Sequence, residues 1–497
     1  MPERPADVCL VLEGTYPYVT GGVSNWAHDL ILGRPELTFH LLALVPPGPA
    51  GTLRFTLPSN VVGLTRVELQ TLPPGPPTAP GLDSMMRRLE EPLVRLTTNG
   101  QLDDLREVVR LLDSAPVPLG REALLNSKAA WNLMLRMYER QCPHVSLLEY
   151  FWTWRTLLQV IYSVLEAPIV AARVYHPLCT GYAGLYAARA SLQTGRPVML
   201  TEHGIYTNER RVEITLADWL QEDALQNLSI ERMHRDLRDL WIDTFTSFSR
   251  VCYAASSRII TLYEGNTQLQ LQDGADPDRL EVIPNGIEVV ESDRPERNGA
   301  PPTVALVGRV VPIKDIKTFL RACALLREYV PDVRVWVLGP LDEDVDYVAE
   351  CRQLAAHLDL EATVEFKGKV QLRDYYPLID VLVLTSVSEA QPLVILEAGA
   401  MGIPSVATDV GACREMILGR SDEQPKLGEA GAVTPLANPA ATARALQWLL
   451  TNTEAYDRCG QAARARVRRY YDKADLDEAY RRLYAEHVDM NDIVAVA

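Results

Sequence analysis

Glu389 and Glu397 stand in SVSEAQPLVILEAGAMGI (386–403) with seven residues between their carboxylates. The apolar run Val381–Leu384 ahead of them reads as a strand. Pro392 reads as the first-turn position of a helix, where its missing N–H costs nothing. Glu389 then lies in a loop and Glu397 on a helix whose first N–H groups, at Leu393 and Val394, are free for phosphate oxygens. From these places Glu389 reaches sugar hydroxyls, and Glu397 accepts from both hydroxyls of a ribose. VGRVVPIKD (307–315) follows a second apolar run, Thr303–Val307. Its Arg309 is a bidentate fork and its Lys314 a point charge, a combination suited to a diphosphate. EGTYPYVTGGVS (13–24) comes between the run Val8–Leu12 and a helix expected over Val23–Leu32. There Gly21 and Gly22 let the backbone approach an anion with no Cβ in the way. The stretch is not G-x-G-x-x-G, and no acidic residue follows at the distance a nicotinamide nucleotide requires, so that site is unsupported. A turn, a solvated ion pair or a charged helix face would explain any one of these stretches. Together they describe a site for phosphate and sugar.

Such residues have to be held at strand ends. Short apolar runs alternate with amphipathic helical stretches, the pattern of parallel α/β layers. In the first half the runs are Val8–Leu12, Phe39–Leu44, Arg173–Tyr175, Val198–Thr201, Ile259–Thr261 and Glu281–Ile283. In the second half they are Thr303–Val307, Val333–Leu338, Thr363–Phe366, Val381–Leu384, Ser405–Thr408 and Ala432–Val433. Each set suffices for a doubly wound sheet. ESDRPERNGAPP (291–302), polar and Pro-rich, reads as the linker between them. LPPGPPTAPG (72–81) introduces a largely helical insertion at about 80–145, with helices expected over Leu102–Leu112 and Glu122–Tyr138. The insertion reads equally as a cap or partner surface and as additional core. The stretch Thr453–Val488 is helical and amphipathic.

The 497 residues carry 49 basic and 65 acidic side chains, a formal charge of −16. That balance argues against broad nucleic-acid binding and against a polybasic membrane anchor. The hydrophobic fraction of 47% and charged fraction of 23% belong to a globular chain of two to four domains. No two of the eight cysteines lie two or three residues apart, which excludes a zinc knuckle and a redox C-x-x-C; reduced core thiols are expected. The run near the N-terminus is too short for a signal peptide, and Thr156–Ala172 is broken by Gln159, Glu166 and Pro168. The expectation is a cytoplasmic chain, at most peripheral at a membrane.

These residues carry a family resemblance. Gly308-Arg309…Lys314, the Glu389-x7-Glu397 pair and GIPSVATDVGACREMI (402–417) resemble the C-terminal domain of retaining GT-B glycosyltransferases of family 4, over roughly 300–470. LEGTYPYVTGGVSNWAHDLI (12–31), LTEHGIYTNERR (200–211) and VIPNGI (282–287) resemble a narrower group, the cytosolic glycosyltransferases of Pel exopolysaccharide synthesis. The resemblance implies an α/β GT-B fold, two doubly wound Rossmann-like domains facing a cleft. The first would span 1–290 with the helical insertion, the second 303–470, with a helical tail over 471–497. It implies a UDP-sugar held by Gly308, Arg309, Lys314, Glu389, Leu393, Val394 and Glu397, with Asn285-Gly286 as a hinge loop beside the nucleotide. Gly21–Gly22 would close over the donor phosphates. His203, which ends a strand and precedes Gly204, matches the family histidine near the anomeric carbon. With Glu389, Arg309 and Lys314 it forms the implied catalytic set.

No cofactor and no metal is implied, the UDP-sugar being a substrate. Asp344-Val345-Asp346 imitates a metal-binding D-x-D, but it lies in the acidic helix start LDEDVDY, where the helix dipole accounts for it. Retention without an evident nucleophile implies a front-face displacement, while a double displacement through Glu389 stays open. The sequence departs from the family at Ala390, where glycine is usual, at Gln391, where an apolar residue is common, and at Glu288, where Asp is frequent. The implied reaction moves an N-acetylhexosamine from a UDP-sugar to a growing polysaccharide acceptor. The implied setting is beside inner-membrane Pel components (PelD, PelE, PelG), with no nucleic acid partner. The alternatives are a glucan-type enzyme using UDP- or ADP-glucose, a UDP-sugar epimerase, which the Glu389-x7-Glu397 pair disfavours, and a non-catalytic subunit of a membrane synthase.

Overall fold

Each apolar run expected as a strand is one. A strand buried on both faces of a parallel sheet has no polar side to show, so it reads as a continuous apolar run. The computed structural model describes residues 5–49, 51–216, 235–289 and 300–494; the expected linker falls outside them up to residue 299. The chain divides into two compact units. The first contains β1 (Ala6–Glu13), β2 (Phe39–Val45), β3 (Val61–Glu68), β4 (Ala172–Pro177), β5 (Val198–Glu202), β6 (Ser256–Thr261) and β7 (Leu280–Val282). They form one parallel sheet in the order β3-β2-β1-β4-β5-β6-β7. The second contains β8 (Thr303–Val307), β9 (Arg334–Leu338), β10 (Val364–Gly368), β11 (Val381–Leu384), β12 (Ser405–Thr408) and β13 (Gly431–Thr434). Their order is β10-β9-β8-β11-β12-β13, again parallel. In both sheets the winding reverses beside the first strand, at β1/β4 and at β8/β11. The crevice at the C-terminal strand ends of such a reversal is where doubly wound sheets bind ligands.

The structure corrects the sequence reading at three places. Strand β3 was not expected, because VVGLTRVE is only half-buried and carries Gly63, Thr65 and Arg66 on an edge. Gly63 is required there: a Cβ would lie 2.5 Å from the His40 ring. The helix expected over Glu122–Tyr138 is broken. Glu122–Asn126 forms a short π-helical turn, and Ser127, in extended conformation, caps a separate helix Lys128–Gln141 through the N–H of Ala130. The helix after Glu389 begins at Leu393, with Pro392 as its extended N-cap residue and not in its first turn.

The insertion is core. Its helices Leu82–Leu96, Leu102–Asp113 and Lys128–Gln141 bury Leu89, Leu93, Leu105, Val108, Leu133 and Met134 in one cluster with Cys9, Val11, Leu42 and Leu44 of β1 and β2. Trp131, Leu148 and Trp152 stay exposed. The last helix, Lys473–Val494, starts in the second unit and returns to the first from Tyr480 onward. There the hydroxyls of Tyr484 and Tyr480 bond His176 Nδ1 at 2.6 Å and Thr201 Oγ1 at 3.1 Å. All eight cysteines are free thiols. Among the described residues no helix is long and apolar enough to cross a membrane.

Candidate active site

In the second unit, the loop that leaves β11 is fastened to the turn that follows β8. Thr385 Oγ1 donates to the carbonyls of Lys314 (3.1 Å) and Asp315 (2.9 Å), the Val387 N–H to that of Ile313 (2.8 Å), and Thr408 Oγ1 to that of Ser386 (2.6 Å). Asp315, in the left-handed region at φ 44°, caps the helix Ile316–Arg327. These bonds bring Lys314 Nζ to 2.5 Å from Glu389 Oε1, and Ser386 Oγ donates to the same oxygen at 2.6 Å. Both side chains of the pair are mostly buried, at 17% and 13% exposure. Gly411 closes the back of this loop: at φ 52°, a Cβ there would lie 2.2 Å from the Glu389 carbonyl and 2.3 Å from that of Ala390.

The helix Leu393–Ala400 starts directly beyond, with the Ile395 N–H turned back to the Pro392 carbonyl and the N–H groups of Leu393 and Val394 at the open end. Glu397, one turn on, accepts the hydroxyl of Tyr376. Gly308 follows β8 at φ 156°, packed so closely that a Cβ on Gly339 would meet its carbonyl at 2.0 Å. Arg309 is not brought to the Lys314–Glu389 pair. It is 56% exposed and paired with Glu343 at 2.8 Å, a surface contact of little energy. Gln391, the departure from an apolar residue, bonds both main-chain polar groups of Asn285.

In the first unit, His203 follows β5 and is 8% exposed. Burial pushes its pKa down to about 4, so the ring is neutral near pH 7, and its Nε2 is buried without a hydrogen-bond partner. The ring of Trp26 meets it edge-on at 4.6 Å. Trp26 stands on the helix Gly22–Leu32, one turn after the Gly21–Gly22 start. Nothing lies within 4 Å of a Cβ built on either glycine; neither is needed for packing, and both leave open space. Beneath His203, the fully buried carboxyl of Glu202 accepts Tyr253 Oη (2.8 Å), Gln270 Nε2 (2.9 Å), the Tyr206 N–H (3.2 Å) and Thr180 Oγ1 (3.3 Å). Burial raises its pKa, and the four donors tie the surrounding elements to the His203 loop.

Ser386, Gly411, Tyr376, Trp26 and Glu202 were not singled out from sequence. Ser386, Gly411, Trp26 and Glu202 lie inside the quoted motifs, whereas Tyr376 carried no signal. Among the described residues no group of three or more His, Cys, Asp or Glu is placed to hold a metal ion. Asp344 caps the helix Val345–His357 through the Tyr347 N–H at 2.9 Å.

Residues 6–278 match the family described as a domain of unknown function (DUF3492). The chain belongs to the DUF3492 family. Residues 290–466 of this DUF3492 protein match the model described as glycosyl transferases group 1. It is 29% identical over 263 residues to a D-inositol 3-phosphate glycosyltransferase of Streptomyces bingchenggensis, covering 47% of this chain and 56% of that one. With the enzyme of the same name from Rhodococcus opacus it shares 32% identity over 174 residues, 32% of this chain and 39% of that one. The chain thus spans about half the length of the curated relatives it matches. Among solved structures it is similar to HepE of Anabaena in complex with UDP, at TM-score 0.59 and 15% identity over 96% of this chain and 99% of that one. It is also similar to sucrose-phosphate synthase of Thermosynechococcus elongatus, at TM-score 0.56 and 16% identity over 97% of this chain and 100% of that one. These likenesses and the two parallel sheets show a GT-B fold of two Rossmann-like α/β units.

Proposed function

We propose that this DUF3492 protein is a retaining, metal-independent glycosyltransferase of the PelF type. In this reading it moves an N-acetylhexosamine from a UDP-sugar to a growing exopolysaccharide, beside inner-membrane partners of a Pel-type synthase. One observation carries the reading: the Lys314–Glu389 pair stands at the open start of the helix Leu393–Ala400, at the winding reversal of the second sheet. Lys314 and the Leu393 and Val394 N–H groups receive the diphosphate, and Arg309 exchanges Glu343 for it. These donors stabilise the charge that grows on UDP as the C1–O bond breaks. Glu389 orients the sugar, Glu397 the ribose. The acceptor oxygen bonds C1 on the face UDP leaves, and its proton passes to a departing phosphate oxygen. His203, neutral near pH 7 and with a buried, unpartnered Nε2, is by the resemblance the histidine that acts on the sugar.

HepE, a neighbour of known structure, also occurs in complex with UDP and glucose, which favours a second reading: the same chemistry with a glucose donor. UDP release from the purified chain, measured with UDP-GalNAc, UDP-GlcNAc, UDP-glucose and ADP-glucose in the presence of EDTA, separates the two. Turnover of an N-acetylhexosamine donor supports the first reading and preference for glucose the second. Loss of turnover in EDTA overturns metal independence, and absence of UDP binding overturns the site.

A further inference from the structure

Gln391 is 7% exposed, and a buried amide needs partners for both of its ends. It finds them in one residue far away in sequence. The Asn285 N–H donates to Gln391 Oε1 at 2.7 Å, and Gln391 Nε2 donates to the Asn285 carbonyl at 3.1 Å. An apolar side chain of the same size would leave both main-chain groups without these bonds.

The turn is held from its other side as well. The Ile287 N–H bonds the Tyr471 carbonyl and the Lys473 N–H bonds that of Ile287, both at 3.0 Å. Gly286 is packed so tightly that a Cβ there would lie 2.9 Å from the Lys473 main chain. With the backbone fixed on both sides, the Asn285 side chain is what remains to act, and its Oδ1 is buried with no hydrogen-bond partner among the described residues. An amide that served structure alone would have its acceptor satisfied; an orphaned one costs free energy until a donor arrives. Gln391 and Pro392 lead directly into the helix Leu393–Ala400, so the Asn285 main chain is tied to the segment that enters the helix start assigned above to the diphosphate.

We propose that Gln391 is a positioning residue: its paired bonds to Asn285 hold Asn285 Oδ1 ready for an N–H or O–H donor of the UDP moiety. The inference rests on the nucleotide-sugar reading of this site. Its signature is coupling, because Gln391 acts through the Asn285 side chain, and its loss should matter only while that side chain is present.

The test is calorimetric titration of the full chain with UDP, with thermal unfolding measured alongside. Gln391→Met and Asn285→Ala are each expected to weaken UDP binding about tenfold. Gln391→Met also lowers the unfolding temperature, because it strips both bonds to the Asn285 main chain, whereas Asn285→Ala leaves it little changed. The double variant is expected to bind no more weakly than Asn285→Ala. Gln391→Glu keeps the acceptor for the Asn285 N–H and regains a donor only when protonated. Its UDP affinity, taken relative to wild type at each pH, should therefore recover as pH falls. Gln391→Met binding within twofold of wild type, an additive double variant, or a flat relative pH profile for Gln391→Glu each overturns the proposal while the site reading stands. Failure of the wild-type chain to bind UDP removes both.

Discussion

Lys314 meets its carboxylate in a mostly buried place, and this makes it unlike Arg309, whose contact with Glu343 is exposed, although the two share a motif. Removing Lys314 leaves Glu389 in a largely buried place with Ser386 as its remaining side-chain donor among the described residues, so Lys314→Ala should hurt both folding and chemistry. Turnover is expected to fall about 10²–10³-fold, the usual cost of losing one preorganised donor to a developing charge. Arg309→Ala should lower turnover while leaving stability within about 0.5 kcal/mol, because its partner contact is exposed. Steady-state rates and urea unfolding of both variants check this. The histidines make a second residue-scale prediction. Burial holds His176 near 3 and His203 near 4, both below the unfolded value. Between about pH 6.5 and pH 4 the unfolded chain therefore binds more protons than the folded one, and stability is lost as pH falls through that window. The urea midpoint should drop over this range, with a shallower slope in His203→Gln.

At the scale of elements, the site depends on two loops that leave neighbouring strands, β8 and β11, and on the glycine behind them. Gly411→Ala places a methyl group on two carbonyls at a positive φ, so the Glu389 loop must move. A stability loss of about 1–3 kcal/mol is expected from the strain, with a loss of turnover larger than that strain alone would give. Unaltered turnover in a folded Gly411→Ala would show that the loop's position is unimportant. The sequence made the helix after Glu389 legible through Pro392, and it placed both motifs at strand ends. It did not show that Arg309 faces Glu343, that Glu397 meets Tyr376 or that Gln391 reaches Asn285. These contacts join segments that only folding brings together.

At the scale of the molecule, the insertion is the element whose role changed most. Read as sequence it served equally as a detachable cap or as core. Its packed leucines now make it part of the first unit's interior. Deleting 82–141 should therefore abolish cooperative unfolding of that unit, since it strips apolar partners from β1 and β2. A truncated chain that still unfolds cooperatively, with two transitions by calorimetry, would contradict the packing. The charge of −16 acts at this scale too: in the proposed reading it leaves a few placed cations and helix N-termini of the second unit to receive an anion.

What the sequence determined by itself follows from local physics. Strands buried on both faces must be apolar throughout, helix starts need recognisable residues, and loops at strand ends carry the glycine, arginine, lysine and glutamate on which the proposed site rests. The half-exposed edge strand β3 escaped because partial burial permits polar side chains and erases that pattern. Only the tertiary structure decided which charges meet. Lys314 and Glu389 are 75 residues apart, and Asn285 and Gln391 are 106 apart. Spacing along a chain carries no record of distances that depend on how separate strands lie side by side in a sheet.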